Sequence, residues 1–386
     1  MNKKFGPLVV AAVAAIAAAN GTAAPSPAPA PALEESSDAY FFVGGNYDGD
    51  ATKQFMSGQM YVRHLKPAKK TKAFPIVMVH GTGQTGTNFL GTPDGRPGWA
   101  QFFAAKGYDV YVVDQVGRGR SGQSPESYGP YMRLSTYDMA SIYTGQENYK
   151  LFPQASLHTQ WPGGAGVPGN AAFDQFYASQ VESIASGVRT EELNDPALIA
   201  LLVKIGPSVL LTHSQAGVFG WKVADSRPDL VKALVSVEPN GPPFYDPDFK
   251  GGTDWYAYGA KPARPWGITR VALNFVPAAA SASDMVIQRE EQADAPNLVR
   301  CNLQGGVPRQ LPNLAKVPIV IVTSEASFRA TLDHCTSKFL TQAGVPNEHL
   351  RLESVGIHGN GHMMMLEKNN LDVAGVLADW IHRKVE

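Results

Sequence analysis

In the run "SVLLTHSQAG", Ser214 follows the apolar Leu210 and Leu211 and sits between Thr212 and Ala216, with Gly217 next. Small residues on either side are what a sharp strand-to-helix turn demands, because bulky ones there would strike the neighbouring strands. Such a turn exposes a hydroxyl to a base, which is the first requirement of nucleophilic acyl chemistry. Thr212 stands where glycine is commoner, so an ordinary Thr/Ser loop remains the other reading of this stretch.

A base and an acid would complete the set. "GIHGNGHMMM" offers His358 and His362. Their i, i+4 spacing would suit a zinc pair on a helix, but Gly359 and Gly361 between them disfavour a helix. A loop histidine just before a terminal helix suits a general base, and His362 is preferred, with His358 bracing the loop. Two glutamates compete to orient it: Glu238 in "VSVEP" and Glu325 in "VTSEAS". Both lie in the order nucleophile, acid, base, and spacing does not separate them. In "HGTGQTG" the Thr82 N–H can face a substrate carbonyl, and the Gln215 N–H, at a helix start, would be the second oxyanion donor. A plain glycine-rich turn is the alternative. His80 is read as a brace, and Asp114, Arg118 and Arg120 as caps and ties of their own turn. Met363 to Met365 are read as packing beneath the following helix. Trp161 and Trp266 stay open between pocket walls and packing within the insertions.

Positioning these residues requires regular elements. The runs "FPIVMVHG", "YDVYVVDQ", "PSVLLTHS", "VKALVSVE", "VPIVIVTS" and "HLRLES" are short, unalternating and largely β-branched, as strands buried on both faces are. Two further strands are expected within 39–65. Helical periodicity falls between the runs, over residues 98–107, 219–230, 329–344 and 369–384. Alternation of this kind predicts an α/β fold: a mostly parallel central sheet with helices on both faces. Two long interruptions, at about 123–206 and 240–316, follow strand ends and could cover a site as lid or cap.

Together "HGTGQTG", "DQVGRGRSG", "THSQAG", "VSVEP" and "GIHGNGHMMM" resemble the α/β-hydrolase superfamily. They are similar in particular to secreted serine esterases whose triad acid is a glutamate after the strand following the nucleophile turn. The resemblance implies Ser214 as nucleophile, Glu238 as acid, His362 as base, and Thr82 and Gln215 as oxyanion donors. The bacterial member of that group carries adjacent cysteines after "HG" where this chain has Thr82 and Gly83, so a redox-sensitive oxyanion loop does not transfer.

The bulk numbers agree. Of 386 residues 44% are hydrophobic and 17% charged, which suits a folded chain, and a net charge of -1 leaves no basic excess for nucleic acid. Residues 1–24 read as a secretory signal peptide: Lys3 and Lys4, an apolar Ala-rich run too short to span a membrane, then small residues. Residues 25–37 read as a Pro/Ala-rich linker, and 38–386 as the catalytic domain. The only two cysteines, Cys301 and Cys335, are expected to pair in an oxidising compartment. The expected function is a secreted serine esterase acting on a small-molecule carboxylic ester, with no cofactor or metal. The alternatives are a biosynthetic acyltransferase, lactonase or amidase on the same fold, or a non-catalytic binding protein. Oligomeric state and natural substrate are not legible.

Overall fold

The computed structural model describes residues 38–386; the expected leader (1–24) and linker (25–37) lie outside the described residues. The apolar runs become strands β1 (Asp38–Asp48), β2 (Phe55–Leu65), β3 (Ile76–Val79), β4 (Val110–Asp114), β5 (Ser208–His213), β6 (Val231–Val237), β7 (Ile319–Thr323) and β8 (Glu348–Arg351). They form one sheet in the order β1-β2-β4-β3-β5-β6-β7-β8. β2 runs antiparallel to β1 and β4, and every later neighbour is parallel. The glycine-rich tails of the runs are not strand; they leave the sheet as loops, and the candidate residues sit in them.

Period-2 alternation divides each central strand between two cores. Val77 and Val79 face one layer while Ile76 and Met78 face the other; Ile319 and Ile321 oppose Val320 and Val322 in the same way. The α-helices longer than four residues are α1 (Trp99–Ala105), α2 (Ala171–Ala178), α3 (Gly187–Ile205), α4 (Ala216–Ser226), α5 (Asp333–Gln342) and α6 (Asn370–Val385). α3, α4 and α5 cover the first layer through Leu198, Leu201, Phe219, Trp221 and Phe339. α1, α2 and α6 cover the second through Trp99, Phe103, Phe176, Leu377 and Trp380. Each fully buried side chain of this size stabilises the sandwich by about 1.5–3 kcal/mol. Helical periodicity had suggested residues 219–230 for the helix after Ser214. It begins instead at Ala216, directly behind the turn, and stops at Ser226 because Pro228 disfavours helical geometry at Arg227.

The stretch 123–206 is not all cover. Its last part is α3, whose Leu193, Ala197 and Leu198 join Met60 and Val62 in the sheet core. The stretch 240–316 contains two pairs of three-residue strands, Pro247–Phe249 with Tyr256–Tyr258 and Ile287–Arg289 with Asn302–Gln304. A satellite core of Phe152, Trp255, Val299, Phe328 and Leu332 gathers both stretches around the Cys301–Cys335 disulfide, which ties the second stretch to α5. Among the described residues no helix is long and apolar enough to cross a membrane.

Candidate active site

β5 ends at His213 and α4 starts at Ala216, so Ser214 and Gln215 make the whole turn between them. Ser214 adopts φ +54, a conformation that costs a non-glycine residue about 1–2 kcal/mol. The turn is held from both sides. Ser214 N donates to Val237 O (3.0 Å), and Ser214 O accepts from Gly217 N (2.9 Å) and Asn240 N (2.8 Å). That close approach explains Gly217, where a Cβ would lie 2.5 Å from Pro239 Cβ. One strand over, Glu238 leaves β6 with φ +43. Two strained residues therefore stand side by side at the ends of adjacent strands.

Glu238 is fully buried and richly bonded. Its Oε2 lies 2.5 Å from His362 Nδ1 and accepts from Ser327 Oγ (2.6 Å); Oε1 accepts from Ser324 N (2.8 Å) and Ser324 Oγ (2.5 Å). Burial pushes the carboxyl up to about 7 against these bonds. Burial, with Arg329 nearby, holds the His362 imidazole well below its usual range, so it is a neutral base at neutral pH. The His362 ring is flanked by His213 (4.6 Å between centroids), Phe328 (4.9 Å) and Tyr143 (5.2 Å). His213 also donates from Nε2 to His362 O at 3.1 Å, so the residue before Ser214 grips His362 in two ways. Among the described residues Ser214 Oγ and His362 Nε2 make no hydrogen bond, either to each other or to another group, and Ser214 is partly exposed. Such pairs commonly tighten only when substrate binds.

The loop after β3 reaches the same place: a Cβ on Gly81 would lie 2.9 Å from Ser214 Cβ. Within it Gly81 N donates to Gln84 Oε1 (3.4 Å) and Gly83 N to Ser183 Oγ (2.9 Å). Thr82 N between them, and Gln215 N, have no such partner among the described residues. Glu325 lies elsewhere. Both its oxygens are 3.2 Å from His358 Nδ1, and Oε2 accepts from Gly359 N (2.9 Å), so it pins the outer part of the histidine loop. One group of metal-ligand types occurs among the described residues, Cys301, His334 and Cys335, but its sulfurs are joined to each other.

The sequence pattern of the alpha/beta hydrolase family matches residues 76–376 of this fold. The chain belongs to the alpha/beta hydrolase family. Over 349 residues, 90% of each chain, this hydrolase is 45% identical to a probable secreted lipase, phiG, of Fungal sp. (strain ATCC 74256). It also superposes on a novel bacterial esterase with a TM-score of 0.62 at 25% identity, covering 93% of this chain and 99% of that one.

Several residues of the hydrolase site escaped the sequence. Ser324 and Ser327, which hold Glu238, lie in "TSEAS", where the eye goes to Glu325. His158, fully enclosed, bridges Glu147 Oε2 and Glu367 Oε1, each at 2.8 Å. Burial disfavours its charge, yet the two carboxylates raise it to about 9. Because Glu367 also accepts from Gly361 N (2.9 Å), this ion triad clasps the first insertion onto the His362 loop. His80 is a brace by geometry: Nε2 accepts from Gln115 N (3.0 Å), which leaves Nδ1–H to donate to Gly81 O (2.9 Å). Trp161 packs edge-on against Phe176 in the second core layer, and Trp266 packs against the first. Met363 to Met365 are buried in the second core layer with α6.

Proposed function

We propose that this α/β hydrolase is a secreted carboxylic ester hydrolase working through a Ser214–His362–Glu238 triad and an acyl-enzyme. The observation that carries the reading is the 2.5 Å contact from His362 Nδ1 to Glu238, beside a strained serine turn. The Glu238 carboxylate accepts from Nδ1–H, leaving the Nε2 lone pair free to take the Ser214 proton as Oγ attacks the ester carbonyl. The resulting oxyanion is received by the Thr82 and Gln215 N–H groups, the second at the N-terminus of α4, where the helix dipole favours negative charge. The protonated imidazole then gives its proton to the leaving alkoxide. In the second half a water attacks the acyl-Ser214, its proton passing to Nε2 and from there back to Oγ as the acid leaves. Removal of the 1–24 leader would leave residues 25–386, with 38–386 taken as the catalytic unit behind the 25–37 linker. Likeness to a probable secreted lipase supports both secretion and an ester substrate.

The reaction needs the pair as carboxylate plus neutral imidazole. Glu238 is pushed up to about 7, so below that pH the buried pair takes up a proton and the base is lost. With nitrophenyl esters of increasing acyl length, kcat/KM should rise with pH through about 7 and then level off. A flat profile from pH 5 to 8 would contradict the pairing. Turnover of lactones or anilides with every simple ester refused would move the reading to the lactonase or amidase alternative.

A further inference from the structure

Arg118 is a charged side chain left unexplained beside the site. It is 1% exposed, and among the described residues no carboxylate pairs with it; its neighbour Arg120 takes the nearby Asp114, with Nε 2.8 Å from Oδ2. A buried, unpaired guanidinium is expensive, so its hydrogen bonds must be informative. There are two. Nη1 donates to Gly81 O at 2.7 Å, and Nη2 donates to Gln215 Oε1 at 2.5 Å. Those acceptors belong to the two segments that would supply the oxyanion donors.

The geometry of the Gly81–Thr82 peptide makes the first bond consequential. In a trans peptide the N–H points opposite to the C=O. Gly81 O is held by Arg118 Nη1 and by His80 Nδ1 (2.9 Å). The Thr82 N–H of the same peptide is thereby turned away from Arg118 and His80. Released from these two donors, a glycine-flanked peptide could rotate and present its carbonyl instead, which would repel the oxyanion. Two donors on Gly81 O also polarise the peptide and strengthen Thr82 N–H as a donor. The second arm fixes the Gln215 side chain, and with it the residue whose backbone N–H opens α4.

We propose that Arg118 is the positioning residue that keeps the oxyanion hole preformed, locking the Gly81–Thr82 peptide against flipping and tying it to Gln215. Its charge also favours the state in which negative charge develops nearby. Burial lowers the guanidinium to about 9, so it remains cationic at neutral pH. This inference rests on the esterase reading above, and its test is chosen so that the two can fail separately.

Arg118→Met and Arg118→Lys would be compared with the wild-type enzyme on a nitrophenyl ester, with affinity for an alkyl boronic acid measured as a tetrahedral-state mimic. Arg118→Met should lose about 100-fold in kcat, as expected for losing one oxyanion donor, with KM changed less than about three-fold. Boronate affinity should fall by a similar factor. Arg118→Lys keeps the charge but cannot reach both acceptors, and should lose about ten-fold. A folded Arg118→Met enzyme with kcat within about three-fold of wild type overturns the proposal. So does a loss confined to KM with boronate affinity intact. If Arg118→Met yields no folded protein, Arg118→Lys decides; wild-type kcat there, or failure to fold as well, assigns Arg118 to folding and overturns the proposal. Should the wild-type protein bind no boronate and turn over no ester, the esterase reading itself has failed, whatever Arg118 does.

Discussion

Ser214→Ala will lower kcat/KM for an activated ester by about 10⁶-fold while leaving the protein folded. The size follows from the division of labour proposed. Without Oγ there is no acyl-enzyme, and His362, packed among His213, Phe328 and Tyr143, loses the nucleophile it is proposed to activate. What remains is the electrostatic effect of the oxyanion donors on attack by water. Stability should hardly change, because the turn at φ +54 is held by backbone bonds that alanine also makes: Ser214 N to Val237 O, and Gly217 N and Asn240 N to Ser214 O. The check is a steady-state assay beside thermal unfolding. Activity within ten-fold of wild type would remove Ser214 from the chemistry.

Glu238→Gln will cost about 10³–10⁴-fold in kcat, and Glu325→Gln less than about three-fold. An amide at 238 can present its NH₂ to His362 Nδ1, forcing the proton onto Nε2 and leaving no lone pair facing Ser214. It would also leave the Ser324 and Ser327 hydroxyls aimed at a weaker acceptor. Glu325, by contrast, holds an exposed His358 and the Gly359 N–H. Its loss loosens the rim of the loop, and the inner turn stays clasped by Glu367 on Gly361 N. Kinetics of the two variants in parallel decide the matter, and the reverse order of effects would transfer the acid role to Glu325.

That contest shows where the sequence stops being readable. Ser214, Glu238 and Glu325 were visible because each follows an apolar run, and run ends line one rim of a parallel sheet; His362 was visible as a histidine in a glycine-flanked loop ahead of the last helix. Choosing between the glutamates was not possible from spacing, since β6 and β7 are neighbours and both acids lie at their ends. The difference is in side-chain direction, set by a left-handed φ at Glu238 and by two serines that only the folded chain brings to it. Arg118 was legible as a brace of its own turn, but its acceptors lie 37 and 97 positions away. No local pattern encodes contacts of that span. The stretch 123–206 reads as holding more than one helix, but its break in the strand–helix rhythm hid that one of them, α3, packs on the sheet as an ordinary core helix. The stretch 240–316 was opaque for another reason: its strands are three residues long, too short to show any period.

The central claim is that Ser214 is the residue that becomes acylated. Incubation with an alkyl fluorophosphonate, followed by intact mass and peptide mapping, tests it without choosing a substrate. One adduct per chain on Ser214, absent from Ser214→Ala and slowed in Glu238→Gln, is the predicted result. An unmodified Ser214, or an adduct on a different residue, would contradict the account.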